Sequence, residues 1–203
     1  MKDCWKSIGI AGSIRGSGAT HLSVALANYA ASGLGEKTAC LELGGHGELA
    51  SWKLTEEKGY FTDKRIHYYP DVKKEQIPII LNRGYERIIM DFGDAYVSFR
   101  EELLRCDRKV MLLNLNPWQE FAARRMLDAM GKKDWGNIQP LYAGRNAQKA
   151  CKKTLEREYG ITILEIPLIP EPGRIRAEEF SCMDLILGRA AGKNKRRKSR
   201  MPK

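Results

Sequence analysis

Hydrophobic and polar positions along the chain follow two rhythms. Short apolar runs read as buried strands, and stretches with apolar residues three or four apart read as helices. The first run, Ile8, Ile10 and Ala11, leads through a glycine-rich turn into a helical pattern at Leu22, Val24, Ala25, Leu26 and Tyr29. Ser32-Gly33-Leu34-Gly35 is expected to end that helix, because glycine accepts the left-handed backbone after a last turn. Residues 37–43 and 66–69 predict strands, and residues 48–61 fit either a short helix or an alternating strand through Ala50, Trp52 and Leu54. Pro70 and Asp71 are expected to open a helix running to about Asn82, closed by Gly84. Residues 87–92 predict a strand with an acid, Asp91, near its end, and 97–106 a helix. Residues 109–115 form the most apolar strand, after which Pro117 opens a helix to about Met130, since proline suits a first turn. A strand at 138–142, a helix at 147–159, a strand at 162–166 and a last helix at 177–187 complete the pattern, with Pro167, Pro170 and Pro172 stiffening the loop between the last two.

Strands alternating with helices predict an α/β fold, a doubly wound and mainly parallel sheet with helices on both faces. Nearly continuous apolar strands such as 110–113 suit a sheet covered on both sides. In such sheets a ligand binds beyond the C-terminal ends of the strands. Residues 12–20, 42–47, 91–94, 115–118, 143–146 and 167–172 all fall at that end.

The turn after the first strand holds the clearest chemistry. Strand, glycine-rich turn and helix N-terminus, in that order, make an anion cradle: backbone N–H groups converge and the helix end adds partial positive charge. The aligned window is Ser13-Ile14-Arg15-Gly16-Ser17-Gly18-Ala19-Thr20, against the phosphate-loop pattern G-x-x-x-x-G-K-[ST]. Thr20 stands where that pattern keeps its Mg²⁺-binding hydroxyl. The first glycine is shifted to Gly12, and the lysine that contacts the β- and γ-phosphates is Ala19. Arg15 is a cation in the same loop, and His21 follows in the first helical turn, where the pattern expects it to face solvent.

Composition narrows the class. The 43% hydrophobic and 30% charged fractions are those of a globular domain. No apolar run approaches the roughly 18 residues of a membrane span. Met-Lys-Asp-Cys-Trp-Lys passes straight into a strand, so no signal peptide and a cytoplasmic location are expected. Five cysteines without a C-x-x-C pair read as reduced thiols, and three scattered histidines show no metal-ligand spacing. The net charge of +10 is concentrated at one end: Lys193, Lys195, Arg196, Arg197, Lys198, Arg200 and Lys203 leave about +3 elsewhere. Residues 1–190 therefore read as one α/β domain and 191–203 as a basic tail too polar to fold alone. Such a tail can hold DNA nonspecifically or an anionic membrane through its Lys193–Lys203 charges. Ala177, Phe180, Met183 and Leu187 share one stripe of the last helix, which fits core packing or, more weakly, membrane contact.

Four stretches together, GSIRGSGATHLSVALANYA, TACLELGGHG, YERIIMDFGD and ILEIPLIPEP, resemble the MinD/ParA superfamily of P-loop ATPases. Within it, the TadZ/CpaE-like pilus-assembly branch is nearest, because that branch tolerates atypical nucleotide loops. The resemblance implies ATP with Mg²⁺, or a chain that has lost it. It assigns nucleotide contact to Gly12, Arg15, Gly16, Ser17, Gly18, Ala19, Thr20 and His21, and the metal to Thr20 and Asp91. It also implies a homodimer in which a loop cation reaches the partner's nucleotide; Arg15 is the nearest candidate, although strict alignment puts Ile14 in that column. Two departures imply weak or absent hydrolysis. Ala19 replaces the main lysine, and Gly44 replaces the acid that orients the attacking water. Losing one charged group poised at a phosphoryl transition state costs about 10³-fold or more in rate. The expected function is a localisation or assembly factor, for example of pilus or secretion machinery, cytoplasmic and recruited to the membrane or cell pole. A DNA-segregation ATPase that binds DNA nonspecifically is the alternative, and a small-molecule kinase or amide-forming synthetase fits least, for want of the lysine.

Overall fold

The computed structural model describes residues 5–53, 59–130, 135, 138–145 and 148–189. The basic tail, Cys4 and residues 54–58 of the ambiguous segment lie outside them. Eight strands are described: β1 (Ser7–Gly12), β2 (Thr38–Glu42), β3 (Phe61–Asp63), β4 (Ile66–Tyr69), β5 (Arg87–Gly93), β6 (Arg108–Asn114), β7 (Leu141–Arg145) and β8 (Ile163–Glu165). They form one sheet in the order β3-β4-β2-β5-β1-β6-β7-β8. All neighbours are parallel except β3, which returns antiparallel beside β4. From β1 the chain crosses to β2 and the β3–β4 pair on one side, returns to β5 between β2 and β1, and then steps out through β6, β7 and β8 on the other, as in doubly wound folds.

Among the described residues seven α-helices connect and cover the strands: α1 (Ala19–Asn28), α2 (Glu48–Trp52), α3 (Ile77–Leu81), α4 (Arg100–Arg105), α5 (Glu120–Ala129), α6 (Lys149–Tyr159) and α7 (Phe180–Ile186). Two cores follow from the alternation of strand side chains between the faces. On one face Ile88, Met90, Met111 and Leu113 pack under Ile77, Leu103, Met126 and Leu155 of α3–α6. On the other, Ile8, Ile10, Ile89 and Val110 pack under Leu22 and Leu26 of α1 and Met183 and Ile186 of α7. Met183, Ile186 and Leu187 are fully buried, so the stripe of the last helix serves the core. Among the described residues no helix is long and apolar enough to cross a membrane.

Glycine at position 9 lets α4 close on β1. A Cβ there would stand 2.8 Å from Leu103 Cδ1 and 2.9 Å from both Cys106 Sγ and Phe92 Cε2, closer than packed atoms tolerate.

The structure shifts several predicted elements. The helix expected from Pro70 begins with a turn at Asp71 (φ 49°), passes through a 3-10 turn at Lys74–Gln76 and becomes α-helical only over Ile77–Leu81. The helix expected from Pro117 starts at Glu120, and the strand expected at 138–142 runs instead over Leu141–Arg145. The 48–61 segment resolves into α2 and the start of β3. The β3–β4 hairpin is closed by Lys64 and Arg65, both with positive φ (44° and 70°). Glycine or asparagine normally signals that two-residue turn. Here the stacked Phe61 and Tyr68 rings (5.1 Å), with Trp52 edge-on to both, hold the hairpin in place of turn chemistry.

Candidate functional site

β1 lies in the middle of the sheet, between β5 and β6, and ends at Gly12. The following turn is pinned to β6 by Ser13, whose N–H donates to the Leu112 carbonyl (2.8 Å) and whose hydroxyl accepts the Asn114 N–H (3.2 Å). Ser17 folds back over Gly12, and a Cβ on Gly12 would fall 1.9 Å from Ser17 Oγ. Gly12 thus makes room for the loop and does not line its cavity. Gly16 (φ 79°) and Gly18 (φ 91°) hold left-handed backbone that other residues rarely adopt.

Gly18 caps α1 without any side-chain hydrogen bond, and the first turn of α1 contains no acid. The leading N–H groups of α1 are therefore left to an external acceptor, and the helix end favours an anion. A cleft of about 130 Å³ opens over them, lined by residues 14–21 with His46, Glu48, Gly93 and Asp94. Arg15 stands exposed at its rim, and Ala19 is buried in its wall.

Thr20 and Asp91 meet beside this cleft. The Thr20 hydroxyl donates to the Asp91 carboxylate, and the Gly93 N–H donates to its Oδ1 at 3.0 Å. Asp91 is 2% exposed. Burial pushes its carboxyl up to about 6, helped by the nearby charges of Glu42 and Glu48 and opposed by the two hydrogen bonds. A buried carboxylate of this kind gains from a cation.

His46 occupies the space between the ends of β2 and β5. A Cβ on either Gly44 or Gly93 would come within 2.9 Å of its ring, and its Nε2 donates to Asp94 Oδ1 at 2.8 Å. The place that a side chain at position 44 would enter is filled by this imidazole. Glu42, at the end of β2, points elsewhere. Its carboxylate accepts the Glu48 and Leu49 N–H groups (2.7 and 3.3 Å) and caps α2.

His21 differs from expectation. It does not face solvent but is half-buried, and its Nε2 donates to the Ile169 carbonyl at 2.7 Å, tying α1 to the proline loop after β8. Sequence reasoning named the strand-end stretches that contain His46, Asp94 and Arg145 without singling out these side chains. Arg145 closes β7, and its Nη1 lies 2.7 Å from where a Cβ of Gly18 would be. A charged residue at a strand's C-terminal end was the available signal. Among the described residues no group of three or more His, Cys, Asp or Glu could hold a metal unaided.

No family model and no curated protein matches the chain. Solved structures do. A ParA family ATPase from Chlorobium tepidum superimposes with a TM-score of 0.60 at 13% identity, covering 91% of this chain and 90% of that one. A plasmid partition protein from Borrelia burgdorferi, bound to AMPPNP, gives 0.65 at 13% identity, with 89% and 97% covered. MinD in the MinC:MinD complex of Aquifex aeolicus gives 0.58 at 18% identity, with 81% and 82% covered. The chain has the P-loop α/β fold of the ParA and MinD ATPases.

Proposed function

We propose that this chain binds a nucleoside triphosphate with Mg²⁺ and uses the bound state to assemble with itself and with protein partners, hydrolysing slowly or not at all. One observation carries the reading. The turn after β1 keeps an open phosphate nest, with two left-handed glycines, an uncapped helix end and a hydrogen-bonded Thr20–Asp91 pair at its edge. These groups fit Mg-ATP. Gly16, Gly18, Ala19, Thr20 and His21 offer backbone N–H groups to the phosphates, while Ser17, whose N–H donates to the Ile14 carbonyl (3.1 Å), and Gly12 shape the loop around them. Thr20 offers one oxygen to a metal that takes six and Asp91 holds the metal through water, so phosphate oxygens and water must supply the rest. Metal and nucleotide should therefore bind together.

Slow hydrolysis follows from Ala19, which brings no charge, and from Gly44, which brings no acid. A homodimer is supported by exposed apolar side chains that follow the C-terminal ends of the two strands flanking β1. Val97 after β5 is 63% exposed, and Trp118 and Phe121 after β6 are 81% and 61% exposed. The exposure of Arg15 at the rim supports its reaching a partner's nucleotide. The structures of like fold support the class: one is bound to AMPPNP and another is a MinC:MinD complex. The finer reading is a localisation or assembly factor of the TadZ/CpaE kind, cytoplasmic and recruited to the membrane or cell pole. It rests on the atypical loop.

Thermal unfolding tests the reading. Mg-ATP at about ten times its dissociation constant should add about 1.4 kcal/mol of stability and raise the melting temperature by about 3–6 °C. ATP with a chelator should do less. An unchanged melting temperature at millimolar Mg-ATP would contradict nucleotide binding.

The second reading, DNA segregation, is favoured by the basic residues Lys193–Lys203 alone. If it holds, the whole chain retards duplex DNA in a salt-sensitive way and a chain ending at residue 190 does not. Absence of retardation by the whole chain at low salt would end that reading.

A further inference from the structure

The cleft is short of positive charge. Glu48 and Asp94 line it, Asp91 lies just behind, and position 19 contributes only a methyl group. A triphosphate entering there meets carboxylates, and the loop's own cation, Arg15, stands exposed at the rim and not at position 19. Arg145 is not itself among the residues that line the cleft, but it reaches Gly18, which is. It ends β7, two strands from β1, where it pairs in register with Asn114 of β6. Its guanidinium crosses to Gly18, the residue that caps α1, and lies against the glycine's Cα: Nη1 is 2.7 Å from the position of an added Cβ. Any larger residue at 18 would displace it. The side chain is half-buried, and among the described residues it has neither a hydrogen-bond partner nor an ion-pair partner. A partly desolvated guanidinium held against a helix N-terminus, itself positive, is unfavourably placed unless an anion joins them. Phosphate matches this planar fork of donors and is bound by two parallel hydrogen bonds.

We propose that Arg145 is the phosphate-binding cation of this site and replaces, from another strand, the lysine that position 19 lacks. The inference rests on the nucleotide reading above. It adds that this chain has moved the charge instead of losing it. Gly18 is then required twice over, for its left-handed backbone and for the passage of Arg145.

Calorimetry with Mg²⁺ and a non-hydrolysable ATP analogue tests this on four chains: unaltered, Arg145→Ala, Arg145→Lys and the double variant Arg145→Ala with Ala19→Lys. Losing a charge-assisted phosphate contact should weaken binding by roughly 10- to 100-fold in Arg145→Ala. Arg145→Lys should lose less, and the double variant should recover much of the affinity. The melting temperature of nucleotide-free Arg145→Ala should be no lower than that of the unaltered chain, and affinity for adenosine, which has no phosphate, should not respond to the substitution. Arg145→Ala binding the analogue as tightly as the unaltered chain would overturn the role of Arg145 and leave nucleotide binding standing. So would an equal loss of affinity for adenosine, which marks a purely structural residue. If the unaltered chain binds no analogue, both readings fall together.

Discussion

Asp91→Asn should stabilise the nucleotide-free protein at neutral pH and at the same time end Mg²⁺-dependent nucleotide binding. The first half follows from burial. The Asp91 carboxyl, held at about 6 against an ordinary value near 4, is favoured in its protonated form by the fold. A group raised in the folded state contributes its full stability below its unfolded value and loses it as pH rises through the folded value. Between pH 4 and pH 7 the ionisation of Asp91 therefore costs on the order of 2–3 kcal/mol. Asparagine keeps an oxygen for the Thr20 hydroxyl and the Gly93 N–H, carries no charge and avoids that loss. Urea unfolding of both chains at pH 5 and pH 8 checks it: the variant should be more stable at pH 8, and its advantage should shrink at pH 5. The second half follows because the amide removes the anionic partner of the metal. A variant that is less stable than the unaltered chain at pH 8, or one that binds Mg-ATP undiminished, would contradict the role given to Asp91.

The opposite end of the sheet gives the second large effect. Arg87, at the start of β5, is fully buried, and its guanidinium takes both oxygens of Glu36 (Nε–Oε2 2.8 Å, Nη2–Oε1 3.0 Å) as well as the Trp5 carbonyl. These contacts join the segments that enter β1, β2 and β5 at their N-terminal ends, far from the cleft. Glu36→Ala would leave a buried guanidinium short of two charge-assisted bonds and should cost about 3 kcal/mol. For a chain of this length that lowers the melting temperature by about 6–12 °C. Glu36→Gln, which keeps an acceptor, should cost less. Nucleotide affinity of the folded variant should be unchanged. A loss below about 0.5 kcal/mol would show that the pair merely decorates the sheet edge.

The fold was legible because its strands are apolar over most of their length and its helices repeat at helical spacing. That is the pattern of a parallel sheet covered on both faces. What escaped was set by tertiary contact. The β3–β4 turn has no glycine or asparagine, so nothing local announced it, and aromatic stacking across the pair holds it. The helix after Pro70 is delayed by the left-handed Asp71. The strand at 138–142 moved because Leu141–Arg145 matches the register of β6, which local propensity does not encode.

At the site, the glycine turn, Thr20 and Asp91 could be read directly, since their spacing reflects local backbone geometry. Arg145, His46 and Asp94 could not. Each comes from a different strand end, and their relation to Gly18, Gly44 and Gly93 exists only in three dimensions. The absence of a lysine at 19 and of an acid at 44 was visible in the sequence. The side chains that now stand near those places, Arg145 and His46, were not.

Nucleotide control depends on the turn from Gly12 to Thr20 still holding a phosphate chain although Ala19 carries no charge. Titration calorimetry of the unaltered protein with a non-hydrolysable ATP analogue, with and without Mg²⁺, addresses this most directly. The expected result is saturable heat from one nucleotide per chain, strongly reduced when Mg²⁺ is removed. Absence of heat at millimolar analogue in the presence of Mg²⁺ would contradict it.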